Sequence, residues 1–227
     1  MKSLSRYIQE KLIIKKNKST NYKYFPQTKE ELKDIILQRI KDEGNEVDLN
    51  DIDTSNITDM SNLFERTNFN GNISNWDVSN VTNMYSMFYG CKNFNQDISS
   101  WDVSNVKDMS NLFSGNKNFN GDISYWDVSN VTNMSGMFFM CSKFNKDISI
   151  WNISNVTDMR YMFAGCESFN QDISNWDVSN VKDMSSMFYK CKSFNQDISN
   201  WDVSNVKDMS YMFDSCLIEE KYKPKFK

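Results

Sequence analysis

The chain has 227 residues with 39% hydrophobic and 14% aromatic content, which excludes intrinsic disorder and permits a sizeable core. It contains no histidine, so Ser-His-Asp and Cys-His catalysis and His-containing zinc sites are excluded. The net charge of −4 is unevenly spread: residues 1–25 carry +6 and residues 219–227 carry +2, so the part between them holds −12.

Residues 1–25 read as a basic segment with a small amphipathic pattern through Leu4, Tyr7, Ile8 and Leu12, followed by a polar linker. The segment lacks the apolar run of a secretory signal, and no stretch approaches the ~20 apolar residues of a membrane span. As written, the chain is therefore expected to be cytoplasmic, with its five cysteines as reduced thiols. Residues 26–48 predict a helical cap. Thr28 and Glu31 form a capping box, Leu32, Ile35, Ile36 and Ile40 line one face, and Gly44 sits where the helix should stop.

Residues 49–216 are a repeat. Trp76, Trp101, Trp126, Trp151, Trp176 and Trp201 recur every 25 residues, in phase with a Phe-Asn column (Phe94 to Phe194), an Ile column (Ile73 to Ile198) and a Val column (Val81 to Val206). Within each unit, Trp and Val two residues apart suggest one face of a short strand. An Asn or Asp (Asn83, Asp108, Asn133, Asp158, Asp183, Asp208) then precedes M-S-x-M-F, whose apolar spacing suits a turn of helix. Such units bury a core only when stacked, so the expectation is an α/β repeat: a solenoid of about seven strand-plus-short-helix rungs behind an N-terminal capping helix. The six tryptophans are expected in its core. Residues 217–227 leave the repeat as a basic tail, with Leu217 and Ile218 expected to cover the last rung.

The segment Val81–Phe94 (VTNMYSMFYGCKNF) resembles the BspA-like leucine-rich repeat. The F-N-Q-D-I-S-x-W-D-V-S-N-V unit resembles the 25-residue repeat of Mycoplasma-type surface proteins, also found in phages. It departs from ordinary leucine-rich repeats by using Phe, Met, Trp and Val in place of Leu. The resemblance implies a non-enzymatic protein-interaction scaffold with a protein partner. Two other readings stay open. MKSLSRYIQE is similar to the capsid-targeting peptides of T-even-like phages, with I-Q-E as a cleavage signal, which would make the chain a virion or capsid-cargo protein. A calcium-dependent surface adhesin would need export by a non-Sec route.

The remaining columns are weighed by chemistry. The cysteines (Cys91, Cys141, Cys166, Cys191, Cys216) suit packing behind the predicted turn, with a disulfide or a metal as alternatives; no metal site and no cofactor is expected. The Asp column (Asp77, Asp102, Asp127, Asp177 and Asp202, interrupted by Asn152) suits turn chemistry, with calcium as the alternative. The acidic body disfavours nucleic acid. Catalytic residue types recur in every rung, so no asymmetric constellation is singled out and no enzyme is expected. Self-association through the solenoid ends stays open as an alternative. A partner must be read by positions that vary, and the residue before Trp does so: Tyr125 and Ile150 stand where other rungs carry Asn or Ser. Together with Asp102, Asp127, Asn152 and Asp177 they form the candidate binding face, with Phe139, Met140, Arg160 and Tyr161 as the next odd residues.

Overall fold

A computed structural model describes residues 21–225. Its first regular element is the helix α1 (Lys29–Glu43). Thr28 caps it by accepting the Glu31 N–H, and the Glu31 carboxylate accepts the Gln27 N–H, one residue before the position a capping box uses. Gly44, at φ 91°, ends the helix with its N–H on the Ile40 carbonyl. Leu32 and Ile36 are fully buried, and Ile35 and Ile40 pack against the same core.

Helix α1 is fastened to the first rung by its cations. Lys29 reaches Asp59 at 3.2 Å and the Ser61 hydroxyl at 2.6 Å, and Lys33 donates to the Asn62 carbonyl. Arg39 is held by Glu43, by Asp51 at 2.9 Å and by the Asp48 carbonyl. Burial raises the Asp51 carboxyl, but hydrogen bonds from Arg39 and Lys23 outweigh it and hold the group below its ordinary range. Tyr24 pairs with Ile52 in a parallel bridge, so the chain before the helix also joins the stack.

The repeats do stack in register. Parallel bridges join Asp59, Asn83, Asp108, Asn133, Asp158, Asp183 and Asp208 in series. The rungs themselves are not strand plus helix, however, which overturns the α/β leucine-rich-repeat-like solenoid expected from the sequence. Among the described residues there is one α-helix, one 3-10 turn (Glu220–Tyr222) and no strand, only isolated bridges.

The physical reason lies in the turns. In the rung around Trp101, N–H groups close back three residues at Trp101→Ile98, Val106→Val103, Leu112→Met109, Ser114→Asn111, Asn116→Phe113 and Phe119→Asn116. Three of these turns, Ile98–Trp101, Val103–Val106 and Met109–Leu112, begin and end on a buried apolar residue, with two residues between them. The apolar period is therefore three, which a short reading mistakes for strand or helix. The predicted helical turn is also interrupted. The x of M-S-x-M-F is left-handed in every rung, at Asn62, Ser86, Asn111, Gly136, Tyr161, Ser186 and Tyr211. A second left-handed column follows four residues later, at Arg66, Gly90, Gly115, Met140, Gly165, Lys190 and Ser215. A right-handed helix cannot run through either position.

Alternate N–H groups serve the stack. Met109, Asn111, Phe113 and Gly115 donate to Asn133, Ser135, Met137 and Phe139 of the next rung at 2.7–3.0 Å, and Lys107 donates back to Thr82. The residues between them spend their N–H groups on the turns, so no continuous strand forms. Side chains add further ladders. Asn70, Asn95, Asn120, Asn145 and Asn170 each accept the N–H of the residue 25 later, as in Asn120 N–H to Asn95 Oδ1 at 2.8 Å, and Asn195 accepts the Glu219 N–H. Asn80, Asn105, Asn130, Asn155, Asn180 and Asn205 each donate to a serine carbonyl of the preceding rung, as in Asn105 Nδ2 to Ser79 at 2.7 Å.

Aromatic columns fill the interior. Phe64, Phe88, Phe113, Phe138, Phe163, Phe188 and Phe213 stack at 5.3–5.9 Å between centroids. The second Phe column touches the first within each rung, as at Phe113–Phe119, 3.8 Å. The six indoles are 1–5% exposed. Their Nε1 atoms donate to carbonyls of the preceding rung, as in Trp151 to Ile123 at 3.2 Å. At the far end Ile218 is buried and Tyr222 accepts the Ile198 N–H, but Leu217 is 68% exposed and does not cover the last rung as expected.

This packing predicts how Trp151 responds to substitution. Trp151→Ala empties an interior site and should cost about 3–5 kcal/mol. Trp151→Phe keeps most of the area and loses the indole donor, costing about 1 kcal/mol. Denaturant titration of both variants checks this; a near-neutral Trp151→Ala would contradict an interior role.

Candidate binding surface

The Asp column is built into the turns. Asp77, Asp102 and Asp177 each accept the N–H and hydroxyl of the serine two residues on, with Oγ–Oδ1 distances of 2.6–2.7 Å. Asp127 and Asp202 accept the corresponding N–H. Asn152 makes the same two contacts through its amide oxygen, which shows that the turn needs an acceptor rather than a charge. The pattern occurs three times per rung, as Asp97–Ser99, Asp102–Ser104 and Asp108–Ser110. The Ser179 hydroxyl and N–H hold the Asp177 carboxyl below its ordinary value. The Asn and Asp residues expected to cap helical turns, Asn83 and Asp108 among them, cap these turns instead, because no helix follows. Among the described residues, no group of three or more His, Cys, Asp or Glu side chains converges as a metal site.

Two residues before each of these acceptors lies the variable column. Ser100 and Asn200 donate to carbonyls of the preceding rung, Ser74 and Ser174. Ile150 has no polar group to do so and is 63% exposed. Tyr125, in the adjoining rung, is half-buried. The register thus brings Tyr125 and Ile150 side by side. Asp127, Asn152 and Asp177 are exposed beside them, and Asp102 is half-buried.

The cysteines lie inside. Cys141, Cys166 and Cys191 donate to the carbonyls of Phe113, Phe138 and Phe163 of the preceding rung at 2.9–3.0 Å. Where the rung lacks a thiol, buried Asn116 donates to the Phe94 carbonyl at 2.9 Å and accepts the Phe119 N–H. The column therefore supplies an inter-rung donor as well as bulk, a role that spacing alone did not reveal. All five thiols are free. Burial pushes Cys91 up to about 11 and Cys141, Cys166 and Cys191 well above their ordinary range.

The opposite parity of the M-S-x-M-F turns carries a second surface that the sequence reading touched only through Phe139, Met140, Arg160 and Tyr161. Two adjoining cavities of about 320 and 400 Å³ share Tyr89, Ser114 and Phe139. Arg160 and Tyr161 line the first, and Arg66 and Lys92 the second. The expected amphipathic N-terminal segment and its phage-like peptide lie outside the described residues. No described helix is long and apolar enough to cross a membrane.

A family model described as Mycoplasma protein of unknown function, DUF285, matches residues 33–129 and again residues 109–223. No curated protein and no solved structure matches the chain.

Thiol accessibility checks the interior placement. Cys216, half-buried, should react with a thiol reagent in the native protein, whereas the four buried cysteines should react only on unfolding. The sign of the pH effect follows from the raised values. Their stabilising contribution is complete below the ordinary thiol value and is lost as pH rises, for Cys91 between 9.0 and about 11. Rapid native-state labelling of Cys166 would contradict this arrangement.

Proposed function

Since the chain belongs to the DUF285 family of Mycoplasma-type repeat proteins of unknown function, we propose that it is a non-enzymatic scaffold presenting a repeat-built surface to a protein partner. The observation that carries the reading is the division of labour within each rung. The columns that repeat are consumed by stacking, and Ile150 stands 63% exposed beside Tyr125 where nothing in the fold requires an apolar side chain. An aromatic with an aliphatic neighbour, rimmed by Asp102, Asp127, Asn152 and Asp177, has the composition of an interface centre. Similarity to the BspA-like surface-protein repeat supports the same class of function. The carboxylates that could do acid–base chemistry recur in every rung as acceptors for turn serines, a structural use that supports a non-catalytic reading.

The test is a double substitution, Tyr125→Ser with Ile150→Asn, which installs residue types found in the other rungs. Stability should stay within about 0.5 kcal/mol of the parent. Capture of a native partner should weaken at least tenfold, about 1.4 kcal/mol. Undiminished capture would remove this face as the site of contact.

A further inference from the structure

On the cavity-bearing side, one column alternates large and small residues: Tyr89, Ser114, Phe139, Ala164, Tyr189. The three rings are half-exposed, and Ser114 and Ala164 are buried between them. Packing does not demand this alternation, because the interior Phe column stacks a ring on every rung at 5.3–5.9 Å. Omitting every second ring instead opens a slot between Tyr89 and Phe139, floored by Ser114 and by the backbone of Gly90, Gly115 and Gly136. Tyr161 stands edge-on to Phe139 at 6.2 Å and forms part of the wall. Its φ is 56°, in the left-handed region, where the adjoining rungs place Gly136 and Ser186.

The slot is cationic on an acidic body. Its charged lining residues are Arg66, Lys92 and Arg160, with no carboxylate among them. The whole chain has only four arginines, so two of them flank this groove. Each is paired at the surface, Arg66 with Glu65 at 3.6 Å and Arg160 with Asp158 at 3.3 Å, and exposed pairs of this kind yield readily to a competing anion.

The spacing selects the ligand's backbone. Hydrogen-bonded rungs lie ~4.8 Å apart, so rings on alternate rungs repeat every ~9.6 Å. A polyproline II helix rises ~3.1 Å per residue with three residues per turn, or ~9.3 Å. An extended strand repeats its side chains every ~6.8 Å and falls out of step within one period. We propose that the slot between Tyr89 and Phe139 docks a polyproline II segment of a partner, with prolines three residues apart against the two rings and carboxylates facing Arg66, Lys92 and Arg160. This rests on the scaffold reading but uses a different face, so the two fail separately.

The probe is a labelled synthetic peptide of about twelve residues with proline at every third position and glutamates between. Fluorescence anisotropy is followed against the full chain up to millimolar protein. Two control peptides keep the length: one groups the prolines out of register, and the other replaces glutamate by lysine. The expected result is binding of the first peptide at least tenfold tighter than either control. Tyr89→Ser with Phe139→Ser, the residue this column carries at Ser114, should weaken it at least tenfold. Should that variant fold poorly, the surface pair Arg66→Gln with Arg160→Ser must give a comparable loss and a reduced salt dependence. The Tyr125→Ser, Ile150→Asn variant should bind the peptide like the parent. Equal binding of the out-of-register peptide would overturn the polyproline assignment in favour of acidic peptides generally. No binding by the parent chain would overturn it outright, and if the Tyr125/Ile150 variant still loses its native partner, the scaffold reading survives that failure.

Discussion

The structure depends on alternate backbone N–H groups of one rung reaching the carbonyls of the next, while the N–H groups between them close turns within their own rung. Every backbone donor along Met109–Asn116 is satisfied in this way without a strand or a helix. The alternation dictates the rest. Donors that point along the stack fix the 25-residue register, because a slip of one residue would aim turn-closing groups at the next rung and ladder groups at the core. The left-handed residues at the x of M-S-x-M-F and four positions later keep the chain from winding into a helix that would spend all its donors internally.

Register in turn makes the aromatic interior. With each Phe and Trp held above its equivalent, rings stack in continuous columns, and the indole Nε1, Cys Sγ and Asn Nδ2 groups all find carbonyls of the preceding rung. These side-chain donors are worth about 1 kcal/mol each and repeat in every rung. Asn116 shows that the place calls for a buried donor rather than a thiol: its amide donates to the Phe94 carbonyl of the preceding rung and stays fully buried. At the N-terminal end, where no earlier rung exists among the described residues to contribute, Lys29, Lys33 and Arg39 of α1 supply cationic donors to the first rung's oxygens.

Much of this was legible in the sequence, and the illegible part has a specific cause. The period, the phase of Trp76 to Trp201 and the helix α1 with Thr28 and Gly44 at its ends could all be read, because each is a matter of spacing or capping chemistry. The rung conformation is not legible, because apolar residues three apart, such as Ile98 and Trp101 or Val103 and Val106, imitate fragments of both standard periods. The D-I-S, D-V-S and D-M-S triplets were the available signal, since each is an acceptor poised for the N–H two residues on. The exposure of Ile150 followed from its departure from the column. The slot at Ser114 did not stand out, because the alternation of Tyr89, Ser114 and Phe139 gains meaning only when the rungs are known to lie one hydrogen bond apart.

In-register stacking at 25 residues is the claim on which everything else rests, and paired deletions test it most directly. Removing Trp126–Ile150 takes out one whole period and rejoins every column in phase, so the shortened chain should melt cooperatively with its far-ultraviolet and tryptophan signals preserved. Removing only Trp126–Met137, twelve residues, throws every downstream ladder donor and ring out of phase and should abolish the cooperative transition. A twelve-residue deletion that melts like the parent would contradict the account.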